Sequence, residues 1–218
     1  MDYNTVLQDY SKKLKEEHKC DLVVALNHMR VPDDNKMAES NSTDVLDLIF
    51  GGHDHSYVAE LKQETGVYVL KSGTDFEVFT NFTVLFDVAQ DDYKTYYESI
   101  KDKLDENLVV SYCPKNKRVF ISEKVPITAQ FDPDQEMAEH IKHYTDQLKA
   151  IQDVPAGFTG VDLEARFSRV RTEETNLGNM VADIIRSEYN CDFGILNGGC
   201  LRANGVFDKG VIKNLFIG

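Results

Sequence analysis

Three of the six histidines stand where metal chemistry is easiest to build: His28 just past the end of one apolar run, and His53 and His55 just past the end of the next. Neutral imidazole is the commonest protein ligand for zinc, manganese, iron and nickel. On an extended segment, alternation would point the rings of His53 and His55 to the same side. The Gly51-Gly52 pair in front of them gives the backbone freedom for a tight path. Taken singly, a strand-end histidine is equally at home as a hydrogen-bonded surface residue, and H-x-H is a short pattern. Occurring together, each at the end of an apolar run, the three point to a divalent metal. His18, His140 and His143 lie in helical-looking segments among polar neighbours and read as solvated.

The elements around these residues explain why they would meet. Val6, Tyr10 and Leu14 are spaced four apart, one stripe of an amphipathic helix. The run Leu22 to Leu26 reads as a strand buried on both faces, and Val45 to Phe50 as a second. A helical-looking Lys36 to Glu39 lies between them, which gives the strand–helix–strand pattern of a parallel α/β domain. In such sheets ligands gather outside the C-terminal ends of the strands, where His28 and His53 fall. Tyr57–Leu61 and Val67–Leu70 predict a hairpin around Glu64-Thr65-Gly66. Phe79–Val88 and Arg118–Val125 predict strands, and Asp91–Glu106 a surface helix. Asp132-Pro133-Asp134 reads as a helix start, with Met137, Ile141, Tyr144 and Leu148 forming one narrow stripe. Such a helix suits a linker over residues 132–151, between a domain over 1–131 and another over 152–218. In the latter, Thr175 caps a helix carrying Leu177, Val181 and Ile184, and Phe193–Leu196 predicts a strand.

Composition narrows the function. The 218 residues carry 37 acidic and 24 basic side chains, a formal net charge of -13. That balance weighs against binding a nucleic-acid polymer, which needs a basic face to displace counterions. A local cationic pocket for one phosphate is still compatible with it. No apolar run is long enough for a transmembrane helix. The start has no signal-peptide core, so a cytoplasmic setting is expected. The four cysteines are scattered, without a C-x-x-C pair, and form neither a disulfide framework nor a zinc knuckle. The sequence leaves oligomeric state open.

Leu26-Asn27-His28-Met29-Arg30 and Gly51-Gly52-His53-Asp54-His55 resemble the last two signatures of the calcineurin-like metallophosphoesterases. With Lys71-Ser72-Gly73-Thr74-Asp75-Phe76, they resemble the 5'-nucleotidase branch of that family. Arg171-Thr172-Glu173-Glu174-Thr175-Asn176-Leu177-Gly178-Asn179 and Leu196-Asn197-Gly198-Gly199-Cys200-Leu201-Arg202 resemble the family's nucleotide-binding C-terminal domain. The resemblance implies an α/β fold: the C-terminal part of a metallophosphoesterase αββα sandwich, a linker helix, and an incomplete nucleotidase C-terminal domain. It implies two divalent metal ions (zinc, manganese, iron or cobalt), with His28 and His53 on one and His55 on the other. It also implies a nucleotide substrate, with Arg171 and Arg202 facing its phosphate, Asn197 its base, and Gly198 in the same binding segment. Read locally, Arg171 is equally suited to a salt bridge with Glu173 or Glu174, and Asn197-Gly198-Gly199 to a plain turn.

The implied activity is metal-dependent hydrolysis of nucleoside monophosphates. Other two-metal phosphoesterases, such as a cyclic phosphodiesterase or a UDP-sugar hydrolase, and a non-catalytic scaffold are the alternatives. The family's first three signatures, D-x-H, G-D and G-N-H followed by Asp or Glu, do not occur as a set in these residues. The resemblance assigns to them the bridging carboxylate and the histidine that assists the leaving group. It places the two aromatics that sandwich the base beyond Gly218. The chain by itself is therefore expected to be a poor catalyst.

Overall fold

A computed structural model describes residues 2–152 and 154–213. The chain divides into two compact units, Met1–Asp132 and Pro133–Gly218.

In the first unit α1 (Tyr3–Glu16) starts at Asp2, whose carboxylate accepts from the backbone N–H groups of Asn4 and Thr5. Then come β1 (Val24–Asn27), α2 (Val31–Ser40), β2 (Leu48–Gly51), β3 (Tyr57–Lys62) and β4 (Val67–Ser72). The unit continues through β5 (Val78–Leu85), α3 (Gln90–Ile100), β6 (Leu108–Cys113) and β7 (Arg118–Pro126). One sheet has the order β1-β2-β4-β3, with β1, β2 and β4 parallel and β3 antiparallel to β4. The other is antiparallel, β5-β7-β6.

Strand β4 shows why the layers stack as they do. Val67 and Val69 face the helices, packing with Met37, Ala38, Leu46 and Ile49. Tyr68 and Leu70 face the second sheet, where the Tyr68 ring stacks on Phe120 at 4.9 Å and its hydroxyl meets Ser122 Oγ at 2.8 Å. On the outer side of that sheet, Tyr93 of α3 stacks on Tyr112 of β6 at 4.7 Å. The order of layers is helix, sheet, sheet, helix, the expected αββα sandwich.

Local departures have physical causes. The run Leu22–Leu26 is not buried on both faces: β1 is an edge strand, with Val24 42% and Leu26 87% exposed. The apolar layer between the sheets draws on β2, β3 and β4 and leaves β1 uncovered on that side. The second strand starts at Leu48, because the N–H groups of Val45 and Leu46 turn back to the Ser42 carbonyl. The surface helix ends at Ile100, and β6, which the charged flanks conceal, follows it.

In the second unit Asp134, the last residue of the expected helix start, accepts from the Met137 N–H at the start of α4 (Gln135–Gln152). Met137, Ile141, Tyr144 and Leu148 are each about half exposed. Next come β8 (Pro155–Thr159), β9 (Leu163–Glu164), α5 (Phe167–Val170), α6 (Asn176–Glu188), β10 (Val206–Phe207) and β11 (Gly210–Lys213). β8 pairs with β11 and β9 with β10, both antiparallel. Leu163, Ala165 and Leu177 form the core, with Met180, Val181, Leu201 and Phe207 against it. Thr175 caps α6 as expected, accepting from the Gly178 N–H at 3.2 Å. The strand expected at Phe193–Leu196 does not form: Phe193 is 72% and Ile195 83% exposed, and the segment has no ladder partner among the described residues. Among the described residues no helix is long and apolar enough to cross a membrane.

Candidate functional site

His28 follows β1, and His53 follows β2 at the same end of the parallel pair. Their rings meet edge to face with centroids 5.4 Å apart. The Gly52 N–H donates to the Asn27 carbonyl at 3.1 Å, which ties one loop to the other just before each histidine. The segment through His53 and His55 is not extended: their φ angles are +82° and +58°. The same-side argument from strand alternation therefore does not apply. Non-glycine residues in that region cost of order 1–3 kcal/mol each and persist where their surroundings over-determine them. His55 is turned to Thr74, with Nδ1 3.1 Å from Thr74 Oγ1, and that hydroxyl donates to Asp75 Oδ2 at 2.9 Å. The hydroxyl has one proton and gives it to Asp75, so it accepts from the His55 Nδ1–H.

Beneath the histidines lies a charged cluster that joins residues of three of the quoted motifs, a convergence that spacing alone does not show. Lys71, at the end of β4, is 2% exposed. Its ammonium donates to the carbonyls of Met29 (2.8 Å) and Gly52 (2.9 Å) and to Asp54 Oδ2 (2.7 Å). It also pairs with Asp34 Oδ2 at 2.8 Å. Asp34 Oδ1 accepts from Asn27 Nδ2 at 2.9 Å, and Asp54 Oδ2 from the Val31 N–H at 2.8 Å. Burial works against the Asp54 charge, yet the Lys71 ammonium, with the Val31 N–H, holds its carboxyl below the usual 3.8. Burial likewise opposes the Lys71 charge, and the two aspartates outweigh it, holding the amine above 10.5.

The Gly51-Gly52 pair is required for space. A Cβ on Gly51 would stand 2.7 Å from Lys71 Cε, and one on Gly52 2.9 Å from His28 Nδ1. Neither glycine is among the residues with positive φ. The freedom expected of them is thus replaced by close approach. An open cleft of about 380 Å³ beside His28 is lined by Leu26, Asn27, Phe50, Gly51 and Gly52.

The implied metals can be tested against these donors. His28 and His53 present two neighbouring imidazoles, which suits one ion. Among the described residues no group of three or more His, Cys, Asp or Glu side chains is placed to enclose one. The donor set fits part of a centre.

In the second unit, Arg171 and Arg202 converge on one ring. Their guanidinium carbons lie 4.4 Å and 5.9 Å from the centroid of Phe167. Glu173 is engaged by Arg169, and Glu174 accepts from Asn179 Nδ2 at 2.8 Å, so neither carboxylate is spent on Arg171. Among the described residues neither Arg171 nor Arg202 has a salt-bridge partner, although the chain is acidic. Asn197 Oδ1 accepts from the Gly199 N–H at 2.9 Å, shaping a 3-10 turn over Gly198–Cys200. A Cβ on Gly198 would stand 2.2 Å from the Val170 carbonyl oxygen, so that turn can lie against α5 with glycine there. Phe167, whose N–H donates to Asn204 Oδ1 at 3.0 Å, was not foreseen, since no sequence pattern pairs it with the arginines.

Residues 155–216 match the 5'-nucleotidase C-terminal domain family. Over nearly its whole length the chain is similar to 5'-nucleotidases and related nucleotide phosphoesterases. It is 27% identical over 94% of its length to the "Trifunctional nucleotide phosphoesterase protein YfkN" of Bacillus subtilis, of which it spans 13%. A 5'-nucleotidase of Vibrio cholerae is 25% identical over 92% of the chain, which spans 40% of that protein. A crystal structure of a 5'-nucleotidase precursor from Thermus thermophilus superposes over 98% of the chain with a TM-score of 0.67 at 19% identity. The chain spans 40% of that structure. At that identity the likeness establishes the fold. The chain therefore corresponds to less than half of each of these relatives. The matched 155–216 segment contains Arg171, Asn197, Gly198 and Arg202.

Proposed function

We propose that this chain carries the histidine half of a metal centre and the phosphate-facing arginines of a nucleotidase that hydrolyses nucleoside monophosphates to nucleoside and phosphate. The observation that carries the reading is the edge-to-face His28–His53 pair at the ends of adjacent parallel strands. Bound divalent metals would supply hydroxide near neutral pH and neutralise charge on the transferring phosphoryl group. His28 and His53 would ligate one ion and His55 its neighbour. Zinc, manganese, iron and cobalt all suit this donor chemistry. Arg171 and Arg202 would hold the phosphate by paired N–H donors, with Phe167 fixing the planes of both guanidinium groups.

Calorimetric titration of the chain tests both halves. Zinc should bind and be lost in His28→Ala/His53→Ala; AMP should bind and be lost in Arg171→Met/Arg202→Met. The reading fails if either variant binds as the wild type does. AMP hydrolysis by the chain with manganese or zinc should stay far below about 10 s⁻¹, the median for enzymes. Turnover near that rate would show that the centre is complete without the D-x-H, G-D and G-N-H signatures.

A further inference from the structure

We propose that Lys71 is a positioning residue: its ammonium clamps the loop after β1 to the loop after β2 and thereby sets the spacing of His28 and His53. The ligand aspect rests on the metal reading above; the clamp itself does not.

The geometry is specific to these loops. Of the four groups that Lys71 meets, one is the carbonyl of Met29, the residue after His28. Two flank His53 directly: the carbonyl of Gly52 before it and the carboxylate of Asp54 after it. The fourth, Asp34, reaches on to Asn27, the residue before His28. Both histidines are thus held on either side through a single buried cation. The +82° φ of His53 is the conformation most in need of such support, because a non-glycine residue keeps it where its neighbours are fixed. Chain geometry makes room for the clamp, since Gly51 is the residue whose Cβ would collide with the Lys71 stem.

A lysine serving as core filler has no reason to converge on these groups. Val67 and Val69 occupy the same face of β4 and show what filling requires there. An apolar side chain at position 71 would avoid the cost of burying an ammonium.

Lys71→Met leaves the fully buried Asp34 without a compensating cation and can unfold the chain, so Lys71→Met/Asp34→Asn is the decisive variant. Leu46→Ala, in the core beside the same helices, is the control for general loss of stability. Three measurements are made on the whole chain: the nuclear Overhauser effect between the His28 and His53 rings, hydrogen exchange of amides 28–31 and 52–55, and zinc affinity. In the double variant the core amides should keep their protection while the loop amides exchange at least about tenfold faster. The ring–ring signal should weaken, and zinc should bind roughly tenfold or more weakly, the range for removing a residue that orients ligands. Leu46→Ala should lower stability and leave ring contact and zinc affinity as they are. The proposal is overturned if the double variant keeps wild-type loop protection, ring contact and zinc affinity, or if Leu46→Ala loosens the loops equally. Zinc binding that ignores His28→Ala/His53→Ala would instead sink the metal reading, with ring contact and exchange still deciding the clamp.

Discussion

The two candidate regions hold their cations by opposite means. Lys71 is buried, its charge consumed by two aspartates and two carbonyls, and its work is to fix other residues. Arg171 and Arg202 are exposed, lean on one aromatic ring, and have no salt-bridge partner among the described residues. Metal ligands need their spacing set before the ion arrives, which favours a rigid charged clamp. A phosphate-binding cation must keep its donors for the ligand, which favours a ring that orients the guanidinium without competing for its N–H groups. Charge removal should therefore act on folding in one region and on binding in the other.

The largest effect is expected from Lys71→Met. Stripping one member from a buried ion pair typically costs about 3–5 kcal/mol, because the remaining charge is left uncompensated. Urea unfolding of the first unit, followed by hydrogen exchange, should show a loss of that order. Arg171→Met, by contrast, should shift the second unit by no more than about 0.5 kcal/mol, as exposed substitutions do, while abolishing AMP binding. Equal stability losses in the two variants would erase the contrast.

Gly198→Ala tests how the arginine region is supported. The added methyl would lie 2.2 Å from a backbone oxygen, which cannot swing aside as a side chain can. Overpacking of this kind costs about 1–3 kcal/mol. The loss should appear in the second unit's unfolding transition and be accompanied by weaker AMP binding, since Arg171 follows α5 and Arg202 follows the 198–200 turn. A variant of wild-type stability would show that the turn is not packed on Val170.

How much of this was legible in the sequence follows from which forces are local. Strand-end placement of His28 and His53 could be read, because parallel strands announce themselves as short apolar runs before polar turns. The backbone of the His53–His55 loop could not, because positive φ at a histidine is imposed by hydrogen bonds from residues far along the chain. Lys71 is the clearest case. It follows the apolar run Val67–Leu70 and looks like the first solvated residue after a strand, yet its partners are 17 to 42 positions away. Exposure of Leu26 was hidden for a similar reason: an apolar run is identical in sequence whether or not a second sheet reaches over it. In the second unit, Thr175 was legible as a cap because its partner is three residues away. The two short strand pairs were not, since each depends on a partner more than 40 residues distant.

Acid should separate the regions next. Asp54 is held below its ordinary 3.8 in the folded chain. A depressed carboxyl contributes stability that is fully present above the unfolded value and is lost as pH falls through the folded one. The first unit should therefore weaken progressively below about pH 4, the unfolded range for Asp, and Asp54→Asn should flatten that slope. Glu164 in the second unit is held lower, at about 2, by the Arg166 guanidinium, but that pair is exposed and screened by solvent. Glu164→Gln should change the acid profile less than Asp54→Asn does. Stability against pH for each unit, followed through protected amides, decides between them.

The smallest effect expected is the control that gives Gly198→Ala its meaning. Gly157 lies in β8, and a Cβ built there meets nothing within 4 Å. Its φ is not in the left-handed region, so alanine can adopt the native backbone without strain. Alanine also reduces the freedom of the unfolded chain, which favours the folded state by up to about 1 kcal/mol. Gly157→Ala should thus leave the second unit unchanged or slightly more stable, with AMP binding unaltered. If it destabilises as much as Gly198→Ala, the penalty belongs to alanine anywhere in this unit, and the close packing of the 198–200 turn on α5 is not what supports the arginines.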